Sequence, residues 1–229
     1  ILCDENVKIT NVPDISDIDA LEDILKYLNA TVKRNKDGEI YIGSCNIENK
    51  PIPEDASKRL RASYYFMGAL LGRHKKIEMY FPGGCTIGAR PIDLHLKGFK
   101  ALGAKVIQED NKYTIIADEL KGNNIYLDIA SVGATINIML AAVKATGVTI
   151  IENAAKEPEI VDLASFLNSM GAQISGAGTS TIKIKGVKYL KSCVHEVIPD
   201  RIETATYIMI GVAICKKLTI KNIIPEHIY

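Results

Sequence analysis

Three stretches of the chain, residues 60–71, 135–143 and 205–215, are apolar on almost every side when wound as helices. A helix with no polar face must be enclosed all round. The stretches start alike, at Ala62-Ser63, Ala134-Thr135 and Ala205-Thr206, with Ser63, Thr135 and Thr206 spaced 72 and 71 residues apart. A second, amphipathic helix type ends three times in a stop: Leu28-Asn29-Ala30, Leu102-Gly103-Ala104 and Met170-Gly171-Ala172. Apolar residues recur 1, 4 and 11 positions before each stop (Leu28, Leu25, Ile18; Leu102, Phe99, Ile92; Met170, Leu167, Ile160), and Leu21, Leu96 and Leu163 extend the stripe. That is helical period closed by a left-handed residue.

The repeat unit is therefore about 70 residues long: strand, buried helix, strand, amphipathic helix, strand, strand. Strands are predicted at residues 77–81, 113–117, 124–128, 148–152 and 181–184, and 218–224 is strand-like. Such units place their all-apolar helices together in the middle, the inverse of a barrel with central strands. The fold class is α/β (α+β by some schemes), an inside-out α/β barrel of repeated βαβαββ units around buried helices, truncated at both ends. Two units are complete, residues 46–122 and 123–188. The first lacks its opening strand and buried helix, with Ile1-Leu2-Cys3 as the stub of that helix, and a fourth begins near Val194. The missing helix leaves an apolar gap, and the fourth unit's helix, from Arg201 to Cys215, is of the right type to fill it, within the chain or by exchange with a second copy.

Bulk properties narrow the function. Of 229 residues, 47% are hydrophobic, and 28 basic against 27 acidic residues leave a formal charge of +1. That balance and 6% aromatics disfavour a nucleic-acid binder. The longest apolar run, from Tyr207 to Cys215, has nine residues, too short for a membrane span. Five scattered cysteines without a C-x-x-C pair, and four scattered histidines, fit a reduced cytoplasmic protein better than a disulfide frame or a metal site.

Three loops carry chemistry. Residues 82–93, Pro-Gly-Gly-Cys-Thr-Ile-Gly-Ala-Arg-Pro-Ile-Asp, join a strand to an amphipathic helix, where backbone N–H groups can approach an anion. Cys85 lies five residues before Arg90, and a nearby guanidinium lowers a thiol pKa toward neutrality. The alternative is a small apolar cysteine in a structural turn. Ser131-Val132-Gly133 opens a buried helix with a Ser cap and a glycine, suited to an anion or to ordinary capping. Lys58, Arg59 and Arg61 oppose the dipole at the equivalent start one unit earlier, so they are either solvated or paired with an external anion. Asp200, Arg201 and Glu203 occupy the same place in the fourth unit. If the buried helices meet at a pseudo-threefold axis, Arg61 and Ser131 face one mouth and the Cys85 loop overhangs it.

PGGCTIGARPIDLH (82–95), LRAS (60–63), SVGAT (131–135), IENAAKEPEIVDLA (151–164) and IPDRIET (198–204) resemble the signature blocks of the UDP-N-acetylglucosamine 1-carboxyvinyltransferases, an enolpyruvyl transferase family. The resemblance implies two inside-out domains, with residues 1–197 as most of the first and 198–229 as the opening of the second. It implies transfer of the enolpyruvyl group of phosphoenolpyruvate to the 3-hydroxyl of UDP-N-acetylglucosamine, without a cofactor or metal, in peptidoglycan synthesis. By the same resemblance Cys85 is the reactive cysteine and the target of fosfomycin, and Arg90 holds the phosphate of phosphoenolpyruvate. Arg61 binds substrate anions, Pro91 and Asp93 contact the uracil, and Ser131, Val132 and Gly133 cradle the UDP phosphates. Family residues outside this chain include a Lys-Asn pair before Ile1 and the Asp proposed as base, and Ile129 and Ala130 stand where some members have a Lys. The chain alone is therefore expected to be inactive. The competing readings are a shikimate 3-phosphate enolpyruvyl transferase and a non-catalytic UDP-sugar-binding module.

Overall fold

The computed structural model describes residues 1–81 and 91–228. Its first unit holds β1 (Asn6–Thr10), α1 (Ser16–Tyr27), β2 (Thr31–Arg34) and β3 (Ile40–Gly43). The second holds α2 (Glu54–Arg59), a 3₁₀ turn (Arg61–Tyr64), α3 (Tyr65–His74), β4 (Lys76–Tyr80), α4 (Asp93–Ala101), β5 (Lys105–Glu109) and β6 (Lys112–Ile116). The third holds β7 (Asn124–Tyr126), α5 (Val132–Ala142), β8 (Val148–Glu152), α6 (Pro158–Ser169), β9 (Gln173–Ser175) and β10 (Thr181–Lys185). Strand β11 (Val194–Glu196) and helix α7 (Arg201–Ile214) follow.

The three sheets share one plan. β8 pairs in parallel with β7 and antiparallel with β10, which pairs with β9. β4 and β6 repeat this with β5, and an isolated parallel bridge from Ile52 to Met79 stands for the opening strand. In the first sheet β3 pairs with β1 and β2, and β11 lies parallel to β1 with Lys8 opposite Val194. The first unit thus takes its opening strand from residues 194–196, the strand assigned by sequence to a fourth unit. Ser192 N–H donates to Glu5 Oε2 at 2.7 Å and Asn11 Nδ2 to Val197 O at 2.7 Å, fastening that closure. Among the described residues no closed barrel forms.

Helices α3 and α5 occupy the centre. Leu70 and Leu71 of α3, and Ile138, Met139 and Ala142 of α5, are fully buried, as an all-apolar circumference requires. The sheets expose one face: in β10, Ile182 and Ile184 point inward while Lys183 and Lys185 are exposed. The three amphipathic helices end identically. Ala30, Ala104 and Ala172 N–H groups bond back to Leu25, Phe99 and Leu167 carbonyls at 2.9, 2.9 and 3.0 Å, around Asn29, Gly103 and Gly171 at φ +69°, +93° and +99°. This is the Schellman stop that the Asn/Gly-Ala signal predicts.

Two expectations are corrected. Helix α7 does not enter the core. Val212 and Ile214 are 82% and 77% exposed, and only Thr204 and Gly211 are buried. Asp200 caps its amino end and Arg201 grips Glu159 of α6, which directs the helix outward. The gap it was expected to fill stays open as an apolar cavity of about 330 Å³ between α1, α3 and α6, lined by Leu21, Leu25, Phe66, Ala69, Leu163 and Phe166 among others. Residues 218–224 form no strand and belong to none of the three sheets.

At Gly171 a methyl group would meet nothing within 4 Å, so Gly171→Ala isolates the left-handed backbone cost and is expected to lower stability by about 1 kcal/mol. Gly68→Ala, whose methyl would run into the Asn137 carbonyl, is expected to cost more, about 3 kcal/mol. Urea unfolding of both variants checks the order.

Candidate active site

Helices α3 and α5 run in parallel and in step. The first turn of α5 at Gly133 lies against Tyr64, just before α3, and one turn further Gly68 N–H donates to Asn137 Oδ1 at 2.8 Å. Both amino ends therefore open at the same end of the core. Ser131 caps α5, its Oγ accepting from Ala134 N–H at 3.3 Å, and Ser131, Val132 and Gly133 are half-buried. A helix start with its dipole directed outward in this way suits an anion.

Arg61 reaches the same place. Its guanidinium lies over the Tyr64 ring, 5.6 Å from the centroid, and the Tyr64 ring meets His95 edge-on at 4.9 Å. The other two cations of its cluster are held elsewhere: Lys58 pairs with Glu54 at 2.7 Å and Arg59 with Asp23 at 3.0 Å. Both remain solvated, with side chains 61% and 55% exposed, because α2 and the 3₁₀ turn intervene before α3 and place them in surface pairs with carboxylates. Pro91 and Asp93 are exposed at the entry to α4, whose first turn also carries His95. Cys85 and Arg90 lie outside the described residues.

Sequence reasoning passed over the polar groups beneath this mouth. His95 is 5% exposed, and burial, followed by the charge of Arg61, pushes its pKa down to about 4. Burial and the neighbouring Tyr64 raise the Tyr65 phenol far above its usual range. Asn137 is fully buried and bonded to three groups. The available signal was Asn137 itself, an amide inside a helix read as apolar all round. Thr135, equally buried, accepts the Ala155 N–H at 3.1 Å and so ties α5 to the loop before α6. Among the described residues no cluster of three or more His, Cys, Asp or Glu is arranged to hold a metal, and no helix is long and apolar enough to cross a membrane.

Triplicated sheets around buried parallel helices define a fold class found among solved enolpyruvyl transferases. The enolpyruvyl transferase NikO from Streptomyces tendae superposes with a TM-score of 0.80 at 24% identity, over 92% of this chain and 50% of that one. EPSP synthase from Acinetobacter baumannii gives 0.71 at 20% identity, over 93% of this chain and 48% of that one. At these identities the likeness is one of fold.

The sequence profile of EPSP synthase (3-phosphoshikimate 1-carboxyvinyltransferase) matches residues 1–229, and the chain belongs to that family. Curated relatives include UDP-N-acetylglucosamine 1-carboxyvinyltransferase 1 of Staphylococcus haemolyticus, 54% identical, and UDP-N-acetylglucosamine 1-carboxyvinyltransferase 2 of Bacillus subtilis, 53% identical. Each match covers 100% of this chain but 54% and 53% of the relative, so the chain spans about half the length of the curated relatives it matches.

A histidine whose folded pKa lies below its unfolded value favours folding while neutral. For His95 that contribution is complete above about pH 6.5, the ordinary value, and is withdrawn as pH falls toward 4. A shift of this size corresponds to about 3 kcal/mol. Stability measured by urea unfolding is expected to fall across this window, and less steeply in His95→Asn. His74, also lowered by burial, keeps its share of the slope in that variant.

Proposed function

We propose that the complete polypeptide transfers the enolpyruvyl group of phosphoenolpyruvate to the 3-hydroxyl of UDP-N-acetylglucosamine and releases phosphate. The observation that carries this reading is identity of 53–54% along the whole chain to relatives bearing that activity's name. The shikimate reading draws on the family profile's title and on solved structures at 20–21% identity, and the Cys85 loop counts against it.

In this reading Ser131, Val132 and Gly133 cradle the diphosphate on the amino end of α5, and Arg61 supplies a cation to the same anion. Pro91 and Asp93 contact the uracil, Arg90 holds the phosphate of phosphoenolpyruvate, and Cys85 transfers a proton or forms an adduct with that substrate. Donors fixed where charge develops are what phosphate loss from a tetrahedral intermediate requires. We assign residues 1–197 to one domain and 198–229 to the start of another, supported by β11 lying in the first sheet and α7 lying outside the core. The reaction belongs to the cytoplasmic phase of peptidoglycan synthesis, and so to cell-wall growth and division.

The chain by itself is expected to show no turnover. Fosfomycin, an epoxide opened by a thiolate, is expected to add to Cys85 and not to Cys3, Cys45, Cys193 or Cys215, faster with UDP-N-acetylglucosamine present. Mass spectrometry checks the site, and turnover by the isolated chain or labelling spread over all five thiols overturns the assignment. For the chain alone, the open cavity and the exposed α7 support exchange of that helix between two copies. Sedimentation is expected to show a dimer that Val212→Glu disperses, and a monomer at every concentration overturns the exchange.

A further inference from the structure

The amide of Asn137 in mid-α5 is satisfied on three other elements. Its Oδ1 accepts the Gly68 N–H at 2.8 Å, its Nδ2 donates to the Tyr64 carbonyl at 3.1 Å, and Nδ2 stands 2.8 Å from His95 Nδ1. The two backbone partners fix the orientation of the amide. A flip would set its NH₂ against an N–H and its oxygen against a carbonyl oxygen. Both amide hydrogens are thereby used, so His95 Nδ1 is the acceptor and the ring proton resides on Nε2.

The far edge of the ring supports the first turn of α5. A Cβ at Gly133 would stand 3.3 Å from His95 Nε2, 3.1 Å from Cε1 and 2.7 Å from Tyr64 Oη. The same Tyr64 ring carries the Arg61 guanidinium, 5.6 Å from its centroid. The His95–Tyr64 pair therefore touches both the Gly133 turn and Arg61, so its position bears on their separation.

We propose that His95 is a positioning residue, held by Asn137 as the Nε2–H tautomer, which fixes where the Ser131–Gly133 turn stands relative to Arg61 and so sets affinity for a nucleoside diphosphate sugar. The inference rests on the diphosphate reading of that turn. Site geometry matters at the scale of an ångström, so a slack ring loosens the grip on both sides of the ligand.

The test uses the ¹⁵N-labelled chain with UDP-N-acetylglucosamine as probe, comparing wild type, His95→Phe and His95→Asn. Imidazole nitrogen shifts of the wild type at pH 7 are expected to report a neutral ring protonated on Nε2. The probe is expected to move the Ser131, Val132 and Gly133 amide resonances. His95→Phe, folded by far-UV circular dichroism, is expected to bind at least tenfold more weakly. His95→Asn, whose Oδ1 can accept from Asn137, is expected to recover binding to within threefold. A merely structural role would change the thermal midpoint in both variants without separating their affinities. Wild-type-like binding by His95→Phe, binding by His95→Asn as weak as that of His95→Phe, or a proton on Nδ1 overturns the proposal. If His95→Phe does not fold, the tautomer and His95→Asn decide it. A wild type whose Ser131–Gly133 amides do not respond overturns the diphosphate reading, and the proposal with it, whatever the tautomer.

Discussion

The parallel contact of α3 with α5 sets the geometry of everything around it. Side-by-side parallel helices align their dipoles and bring two positive ends together, an arrangement that electrostatics alone disfavours. Burial of two all-apolar surfaces overrides it, and the close approach at Gly68, where even a methyl would strike the Asn137 carbonyl, makes that burial tight. The result is a mouth with a built-in positive potential, to which Arg61 adds a full charge. The depressed pKa of His95 registers the same environment, through burial first and the charge of Arg61 second. The positive potential at the mouth therefore follows from the core packing together with Arg61.

The sheets divide the chain differently from the sequence repeat. A unit read along the chain starts with its opening strand, yet the first sheet obtains that strand from residues 194–196, nearly 190 residues after β1. Parallel pairing needs a crossover, and in the third unit the crossover is α5, which connects β7 to β8 through the core. Among the described residues the β11–β1 pair has no helix in the corresponding place, and the apolar cavity marks that position. Helix α7 follows β11 as α5 follows β7, and its apolar surface suits the cavity, but capping by Asp200 and the two-pronged bond of Arg201 to Glu159 hold its first turn on the outside.

Much of the fold was legible because its signals are local. The three Asn/Gly-Ala stops are written in adjacent residues, and 148–152 appears as a strand with the expected ends. The buried helices were equally plain in α3 and α5. In α7 the same apolar signal proved insufficient, because composition states that a helix prefers burial but not whether the chain's path allows it. The site was legible where it coincides with helix starts: Ser131 caps α5, and Arg61 lies beside Gly133 through the Tyr64–His95 pair. It was not legible at His95 and Asn137, which are 42 residues apart and bond only through tertiary packing. Nor could sequence show that Arg59 would find Asp23, 36 residues away, whereas Lys58 with Glu54 is a local i,i+4 pair.

The buried framework and the exposed rim have separable roles. Asn137, His95 and Gly68 are enclosed, so they can hold the mouth in shape but cannot touch what enters it. Pro91, Asp93 and Ile129 are exposed around it, and Ile129 is 72% exposed directly after Asp128, which pairs with Lys97 at 2.7 Å. A cation in place of Ile129 would act across solvent, where an ion pair contributes roughly 1 kcal/mol or less. The helix ends and Arg61 act from a half-buried position where the field is screened less. Isoleucine at 129 therefore bears on the outer field alone and leaves the inner one, from the amino ends of α3 and α5 and from Arg61, in place.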